Sequence, residues 1–287
     1  MSTTTDTPQV LRPDRKKSRF GLNILGLVIA AFMVFPVYWL VISALRPSRE
    51  IRSYDQTLWP SSFTFDNFVK ATEQPNFYTA IQSSLIVTIV AVAGGMIIAT
   101  LAALAIGRFR FFGRKSLVLI LILVQMLPPT AMLIPIYTLL NAMGGIDEYW
   151  SLIVVYLVST LPFATIMIRG FVVNIPVELE ESAMVDGCTR FGAFRRVILP
   201  LLAPGLAAAS IFALVNAWNE YLFAYILIND NSKYTLNVWL MTFTSERGTD
   251  YGALMAASTM IALPVVIFFM FVQKKMAAGL TSGAVKG

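Results

Sequence analysis

The side chains that enzymes use most often for catalysis and metal binding are scarce in this sequence. It contains no histidine and one cysteine, Cys188. A Cys/His metal site is therefore unsupported, and a disulfide within the chain is excluded. Only one carboxylate, Glu220, lies well inside an apolar run, and no second one accompanies it. Because an acid–base enzyme needs a histidine or a pair of carboxylates, we expect no catalytic residue, no metal and no cofactor bound by this chain.

Glu220 is preceded by Trp218 and Asn219, and this group could do one of two things. A carboxylate in an apolar segment is costly and normally faces a cavity or a partner. The carboxylate and amide could hydrogen-bond the hydroxyl groups of a ligand such as a sugar, with Trp218 as a stacking face. Alternatively, the group could pair structurally with another subunit. The sequence leaves both interpretations open.

The segment 174–200, NIPVELEESAMVDGCTRFGAFRRVILP, has the pattern of two short helices. Pro176 marks the start of the first helix, and acidic residues follow it where the helix dipole favours negative charge. Gly187 is placed to end this helix, and Thr189 to cap a second one. The residues on the helix faces are Glu178, Glu180 and Glu181 in the first helix and Phe191 and Phe194 in the second. Two short helices joined by a glycine form a rigid protrusion.

The elements around these residues are apolar enough to indicate a membrane protein. Hydrophobic residues make up 57% of the chain and charged residues 13%, whereas a soluble domain carries about 25% charged residues. Six apolar runs are long enough to span a membrane. They predict an all-α fold with transmembrane helices near 20–45, 80–106, 116–142, 150–169, 200–228 and 252–273. We predict a disordered cytoplasmic tail at 1–19, a transmembrane domain at 20–275 and a cytoplasmic tail at 276–287.

The orientation follows from the distribution of lysine and arginine, which concentrate on the cytoplasmic side of membrane proteins. With six spans, both termini lie on one side, and that side carries sixteen of the 22 basic residues. These lie in the N-terminal tail, at 108–115, at 169–196 and after 273. The sequence therefore predicts both termini in the cytoplasm, and this distribution explains the net charge of +6 without a nucleic-acid partner.

The 174–200 segment resembles the signature of ABC importer membrane subunits, Glu-Ala-Ala, three residues, Gly, nine residues, Ile-x-Leu-Pro. Here it is Glu181-Ser182-Ala183, Gly187 and Val197-Ile198-Leu199-Pro200, with the spacing kept and only Ser182 and Val197 departing. The resemblance to the carbohydrate-uptake, MalG-like branch extends over nearly the whole chain. It includes Thr64-Phe65-Asp66-Asn67-Phe68, Ala217-Trp218-Asn219-Glu220 and the glycine-rich end 279–287.

The resemblance implies a permease subunit, in the inner membrane of a prokaryote, that forms half of a sugar pathway. It implies a homologous MalF-like permease subunit, two ATPase subunits that bind ATP and Mg, and an extracytoplasmic solute-binding protein. The 178–200 loop would couple the chain to an ATPase subunit, and the C-terminal tail would contact the ATPases. The implied coupling residues are Glu181, Ser182, Ala183, Met184, Asp186, Gly187, Phe191, Phe194 and Pro200. The implied tail contacts are Thr281, Ser282, Gly283, Lys286 and Gly287.

Three further points bear on function. The stretch 107–116, GRFRFFGRKS, lacks the Gly-x4-Gly-Lys-Ser/Thr spacing of a phosphate-binding loop, so ATP hydrolysis is expected elsewhere. The external segment 229–251 could reach toward the binding protein or be a solvated loop, and 46–79 could form a second docking surface. A secondary transporter is the main rival, but it would favour paired intramembrane charges and inverted repeats, which are not evident.

Overall fold

The computed structural model describes residues 16–53, 57–245 and 248–283, and nearly all of them are helical. The α-helices are α1 Lys16–Ala44, α2 Ser48–Ile51, α3 Asp66–Glu73, α4 Phe77–Arg108, α5 Arg114–Gln125, α6 Pro129–Ala142, α7 Tyr149–Asn174, α8 Val177–Val185, α9 Arg190–Ala193, α10 Leu199–Trp218, α11 Leu222–Leu227, α12 Leu236–Trp239 and α13 Tyr251–Gly283. A π-helical turn at Phe194–Ile198 joins α9 to α10, and two 3-10 turns lie at Asn231–Lys233 and Leu240–Phe243. The described residues depart from all-α only in the two-residue strands β1 Thr244–Ser245 and β2 Gly248–Thr249.

Five helices in the described ranges are long and apolar enough to cross a membrane, and α5 with α6 makes a sixth if the bent pair counts as one span. The apolar run 116–142, predicted as one transmembrane span, is divided, because α5 and α6 meet at 100°. The break coincides with Pro128 and Pro129. Proline cannot donate a backbone hydrogen bond, and it drives the preceding residue out of the helical region. Pro128 accordingly has an extended backbone, with ψ of 128°.

The fifth apolar run, predicted as 200–228, is also divided. Its helix starts earlier, and Arg190–Trp218 forms one continuous helical span with the π-helical turn inside it. The helix then ends at Trp218, and the chain resumes as the short α11. Asn219, Glu220 and Tyr221 therefore lie in a break between helices rather than within one.

The core is built around the parallel pair α4 and α7, which approach closely through small residues. A side-chain carbon added at Gly95 would lie 3.1 Å from Thr160 Oγ1, and one added at Gly107 would overlap Val172. One apolar cluster lies at the α8 end of these helices and includes Ala103, Ile168, Val172, Ile198 and Leu202. Two further clusters lie toward the opposite end, one of them around Trp239.

At that opposite end, Asn67 of α3 explains why the 64–68 motif matters for the fold. Its side-chain amide is buried and donates to the carbonyl oxygens of Ala44 (2.9 Å) and Arg46 (2.7 Å), which the end of α1 leaves without helical partners. A side-chain carbon at Gly252 would collide with Asn67. Asn67 therefore fastens the end of α1 to the start of α13.

Candidate coupling site and broken helix

The 178–200 loop folds as the predicted pair of short helices. Helix α8 ends at Val185, and Gly187 follows with φ of +88°, a conformation that favours glycine. The Cys188 N–H donates to the Ala183 carbonyl (3.0 Å), and the Gly187 N–H donates to the Met184 carbonyl (3.1 Å). These two bonds form the Schellman motif that satisfies the last carbonyls of a helix. The prediction that Gly187 ends the first helix is confirmed.

The second helix begins where the sequence predicted. Thr189 is its N-cap, and the threonine Oγ1 accepts from the Gly192 N–H at 3.1 Å. From Arg190 the chain runs without a break through the π-helical turn into α10. A displacement of this helix is therefore delivered directly to a membrane span.

The predicted coupling residues divide between the surface and the interior of this chain. Phe191 is 71% exposed, whereas Ala183 is buried and Phe194 packs against the apolar cluster of α4, α7 and α10. Met184 is half-buried. The remaining predicted residues, Glu181, Ser182, Asp186, Gly187 and Pro200, are exposed.

Val185 is 88% exposed and was missed by the sequence reasoning. Its position just before Asp186 and Gly187 was the available signal, because a residue at a helix end beside a tight turn projects from the tip. Val185 and Phe191 give this polar loop an exposed apolar tip.

Arg108, at the end of α4, was also missed, because a basic residue at the end of a span was interpreted only as a topology signal. Its Nη1 donates to the Ile175 carbonyl at 2.9 Å, and its Nε lies 3.7 Å from Glu180 Oε2. The 178–200 loop is thereby attached to the second span.

The Trp218–Glu220 group has partners inside the chain. Trp218 is buried and its Nε1 donates to the Ile261 carbonyl (3.1 Å). The Glu220 carboxylate accepts from the N–H groups of Phe223 (2.8 Å) and Ala224 (3.1 Å), so it caps α11. Asn237 donates to the Trp218 carbonyl at 2.6 Å and holds the break from the other side. These contacts account for Trp218 and Glu220 structurally, whereas Asn219 is exposed.

Most of the segment 229–251 that the structure describes is not a solvated loop. Trp239 is fully buried, and its Nε1 donates to the Pro75 carbonyl at 2.8 Å. The exposed described residues of the segment lie at 229–232, 241–242, 244–245, 248 and 251. At 229–230 the Asp147 carboxylate accepts from the N–H groups of Asn229 (2.5 Å) and Asp230 (2.8 Å). Ser232 donates to the Asp230 carboxylate and lowers the pKa of that carboxyl. The segment is thus packed against α4 and clamped to the α6–α7 turn.

A cleft of about 1080 Å³ lies between α4, α10 and α13. Its lining is almost wholly aliphatic and aromatic, with two hydroxyl side chains, Thr100 and Ser210. Both hydroxyls already donate to carbonyls of their own helices, those of Met96 and Ala207. Because a sugar needs several hydrogen-bonding partners, this cleft is poorly suited to bind one.

The remaining predictions concern ATP, metals and the C-terminus. Residues 107–116 form the end of α4, a turn and the start of α5, and no strand precedes them as a phosphate-binding loop requires. Within the described ranges, no three His, Cys, Asp or Glu side chains cluster as metal ligands. Thr281, Ser282 and Gly283 lie at the end of α13, while Lys286 and Gly287 are outside the described residues. Helix α13 continues past the predicted boundary at 275.

Comparison with known proteins places this geometry in a family. Residues 95–281 match the model of the binding-protein-dependent transport system inner membrane component. The chain is 42% identical to the diacetylchitobiose uptake system permease protein DasC of Streptomyces coelicolor, over 95% of this chain and all of that protein.

Solved structures share the fold. A chain of a bacterial ABC transporter that imports the acidic polysaccharide alginate superposes with a TM-score of 0.76 at 22% identity, covering 93% of this chain and 99% of that one. A chain of the bacterial alginate transporter in complex with its pentasaccharide-bound periplasmic protein gives a TM-score of 0.64 at 22% identity, covering 91% and 95%. The chain therefore belongs to the family of binding-protein-dependent transport system inner membrane components, the permease subunits of ABC importers.

Proposed function

We propose that this chain is the permease subunit of an ATP-driven importer and forms half of the pathway for a sugar delivered by an extracytoplasmic binding protein. The observation that carries the proposal is the apolar tip of the 178–200 loop. Val185 and Phe191 project from a capped helical hairpin whose second helix continues into a membrane span. Such a tip fits a cleft of a partner, and the adjoining helix would transmit the movement of that partner.

The contacts support six crossings. Helix α5 starts just after Arg108, which contacts the 178–200 loop, while the turn after α6 is clamped to residues 229–230 at the opposite end of α10. The broken pair therefore runs from one end of the bundle to the other and does not re-enter. Together with the basic side chains around the 178–200 loop, this arrangement supports a cytoplasmic position for that loop and for both termini.

The substrate class follows from the relatives. The diacetylchitobiose permease is closely similar over its full length, and the alginate transporter shares the fold. We therefore assign a di- or oligosaccharide or a related solute to this chain. Trp218 and Glu220 shape the break after α10, and the exposed Asn219 is the member of that group free to face the pathway.

A chain that forms half of a transport pathway requires partner subunits. We assign the missing half to a homologous MalF-like permease subunit and the energy source to two ATPase subunits that bind ATP and Mg. Thr281, Ser282, Gly283, Lys286 and Gly287 of the C-terminal tail would contact the ATPases. Deleting residues 281–287 should weaken ATPase retention in a pull-down, and unchanged retention would remove the tail from this assignment.

Reconstitution tests the function. The chain, its partner permease and the ATPase subunits are placed in vesicles with and without the binding protein, and uptake of a labelled oligosaccharide is measured. We expect uptake only with ATP, the ATPase and the loaded binding protein all present. Sugar flux through this chain alone, or uptake driven by an ion gradient, would overturn the proposal.

A further inference from the structure

Arg108 connects the second span to both sides of the junction from which the 178–200 loop leaves the membrane helices. Its Nη1 donates to the carbonyl of Ile175, which lies between α7 and α8. Its Nε lies 3.7 Å from the Glu180 carboxylate, one turn into α8. One guanidinium therefore contacts the end of α7 and the body of α8 from a third helix.

The contact is largely sheltered from water. The side chain of Arg108 is 11% exposed and that of Glu180 is 25% exposed. Arg108 Nε and Nη2 are buried and have no hydrogen-bond acceptor. An exposed ion pair contributes little, but a buried cation depends on its counter-charge and is costly to leave alone. The Arg108–Glu180 pair is therefore more than an incidental surface contact.

The packing around Arg108 is rigid. The neighbouring Gly107 has no room for a side-chain carbon, because Val172 of α7 occupies that space. Ala103, Ile168, Val172 and Ile198 belong to one buried cluster that joins α4, α7 and the start of α10. Close-packed interiors transmit displacement rather than absorb it. Helices α4 and α7 can thus move as one body at this end.

Helix α8 is the weakly attached part of this assembly. The second helix of the loop is continuous with α10, but α8 is bounded by Pro176 on one side and by Gly187 on the other. Its contacts with α9 and the π-helical turn tie it to the rest of the loop. Arg108 supplies the polar attachment of α8 to the α4–α7 body.

We propose that Arg108 is a positioning residue for energy coupling: it fixes α8 to α4, so that displacement of the 178–200 loop by the ATPase is carried into the second span. This inference rests on the proposed function and adds a residue outside the signature motif. It assigns to Glu180 the role of the counter-charge. Without Arg108, a push on α8 would be delivered poorly to α4, although a push on the second helix of the loop would still move α10.

The test compares Arg108→Met with Arg110→Met in the complete complex. Methionine keeps much of the length of the arginine side chain without the fork or the charge, and Arg110 is an exposed arginine two residues further on. The measured quantity is sugar transported per ATP hydrolysed in vesicles, with saturating loaded binding protein. We expect this ratio to fall about fivefold or more in Arg108→Met, the lower end of typical coupling energies. Arg110→Met should match the wild type.

Two milder variants should lower the amount of sugar transported per ATP hydrolysed by less than Arg108→Met does. Arg108→Lys keeps the charge but cannot contact Ile175 and Glu180 in the same geometry, so its ratio should lie between wild type and Arg108→Met. Glu180→Gln keeps the Ile175 bond, and we expect a decrease of about twofold. ATPase subunits should copurify with all variants as they do with the wild type. A general folding defect would instead lower both ATPase retention and uptake.

The outcomes separate this inference from the proposed function. Wild-type coupling ratios in Arg108→Met overturn the role of Arg108 and leave the permease assignment intact. If Arg108→Met does not accumulate, the two milder variants provide the test. Wild-type ratios of sugar transported per ATP hydrolysed in both Arg108→Lys and Glu180→Gln would then overturn the role of Arg108. A wild-type complex that shows no stimulated ATPase activity and no uptake would instead overturn the proposed function.

Discussion

The two ends of α10 carry polar segments that behave in opposite ways. At one end, the 178–200 loop exposes several large apolar side chains, among them Val185 and Phe191. At the other end, the segment 219–243 buries Phe223, Trp239 and Phe243, and Trp239 is fully buried against α4 and α13. One segment buries its largest aromatic side chain within the chain, and the other leaves two large apolar side chains exposed.

The two segments also differ in where their hydrogen-bond partners lie along the chain. In the 178–200 loop, Gly187 and Thr189 cap the helix ends through hydrogen bonds within the loop itself. The 219–243 segment depends on distant groups, such as Pro75, whose carbonyl accepts from Trp239, and Ser84, whose Oγ accepts from the Leu236 N–H. Local capping suits a part that must dock elsewhere, whereas long-range bonds suit a part that fixes the fold.

Replacing Trp239 by alanine should produce the largest effect and should act on stability. Loss of a fully buried indole costs about 3–5 kcal/mol, and here it also leaves the Pro75 carbonyl without its donor. Thermal unfolding of the purified chain in detergent would measure the decrease. Met241→Ala, at an exposed position in the same segment, is the control and should change little. Equal losses of stability in Trp239→Ala and Met241→Ala would contradict the contrast between the two ends of α10.

Replacing Phe191 by alanine should act on assembly and not on stability. An aromatic anchor in an interface is worth about 2 kcal/mol or more, so ATPase affinity should fall about 30-fold while the unfolding midpoint is unchanged. Binding of the ATPase to the permease pair in nanodiscs provides the measurement. Phe112→Ala removes an even more exposed phenylalanine from the α4–α5 turn and should leave affinity intact. A lowered unfolding midpoint in Phe191→Ala would place Phe191 in the fold instead.

Gly187→Val tests whether the shape of the loop, and not only its surface, is required. A β-branched residue at a φ of +88° is strained by about 1–3 kcal/mol, and relief of that strain would reorient Val185 relative to Phe191. We expect ATP hydrolysis to continue with less sugar carried per ATP. Asparagine tolerates this backbone conformation better than valine, so Gly187→Asn should retain most of the coupling. Similar behaviour of the two variants would argue that the turn is not the cause.

Thr189→Ala should give the smallest effect. Loss of an N-cap costs about 1 kcal/mol and should fray the second helix of the loop at its start. The uptake rate should fall a few-fold at elevated temperature and little at low temperature. Thr189→Ser preserves the Oγ that accepts from Gly192 and should behave as wild type. A deficit in the serine variant would point to the methyl group instead of the cap.

Local features were predictable because they depend on neighbours in sequence. The apolar runs, the glycine that ends α8 and the threonine that caps α9 all follow from residues within a few positions of one another. The same reasoning could not judge Ala183 and Phe194. Both were predicted for the coupling surface, and which face of a helix packs inward depends on helices that are distant in sequence.

The prolines also show what could not be predicted from the sequence alone. Pro36, Pro128, Pro135, Pro162, Pro204 and Pro264 all lie in apolar runs, yet only the Pro128–Pro129 pair coincides with a break in a span. A single proline inside a helix costs one hydrogen bond, which packing can offset, whereas two in succession remove two donors at one point.

The sequence by itself determined the class of the molecule: an apolar chain with six long runs, a basic side, and a capped loop with the spacing of a coupling motif. These are sums of local preferences, and each residue contributes without reference to the fold. Only the tertiary structure decided that Val185 shares the loop tip with Phe191, that Glu220 caps α11 and that Arg108 contacts Glu180. Arg108 and Glu180 lie far apart in the chain, and their contact depends on which helices pack together and at what height. The other two facts join residues only a few positions apart, but they depend on where each helix ends in the folded chain.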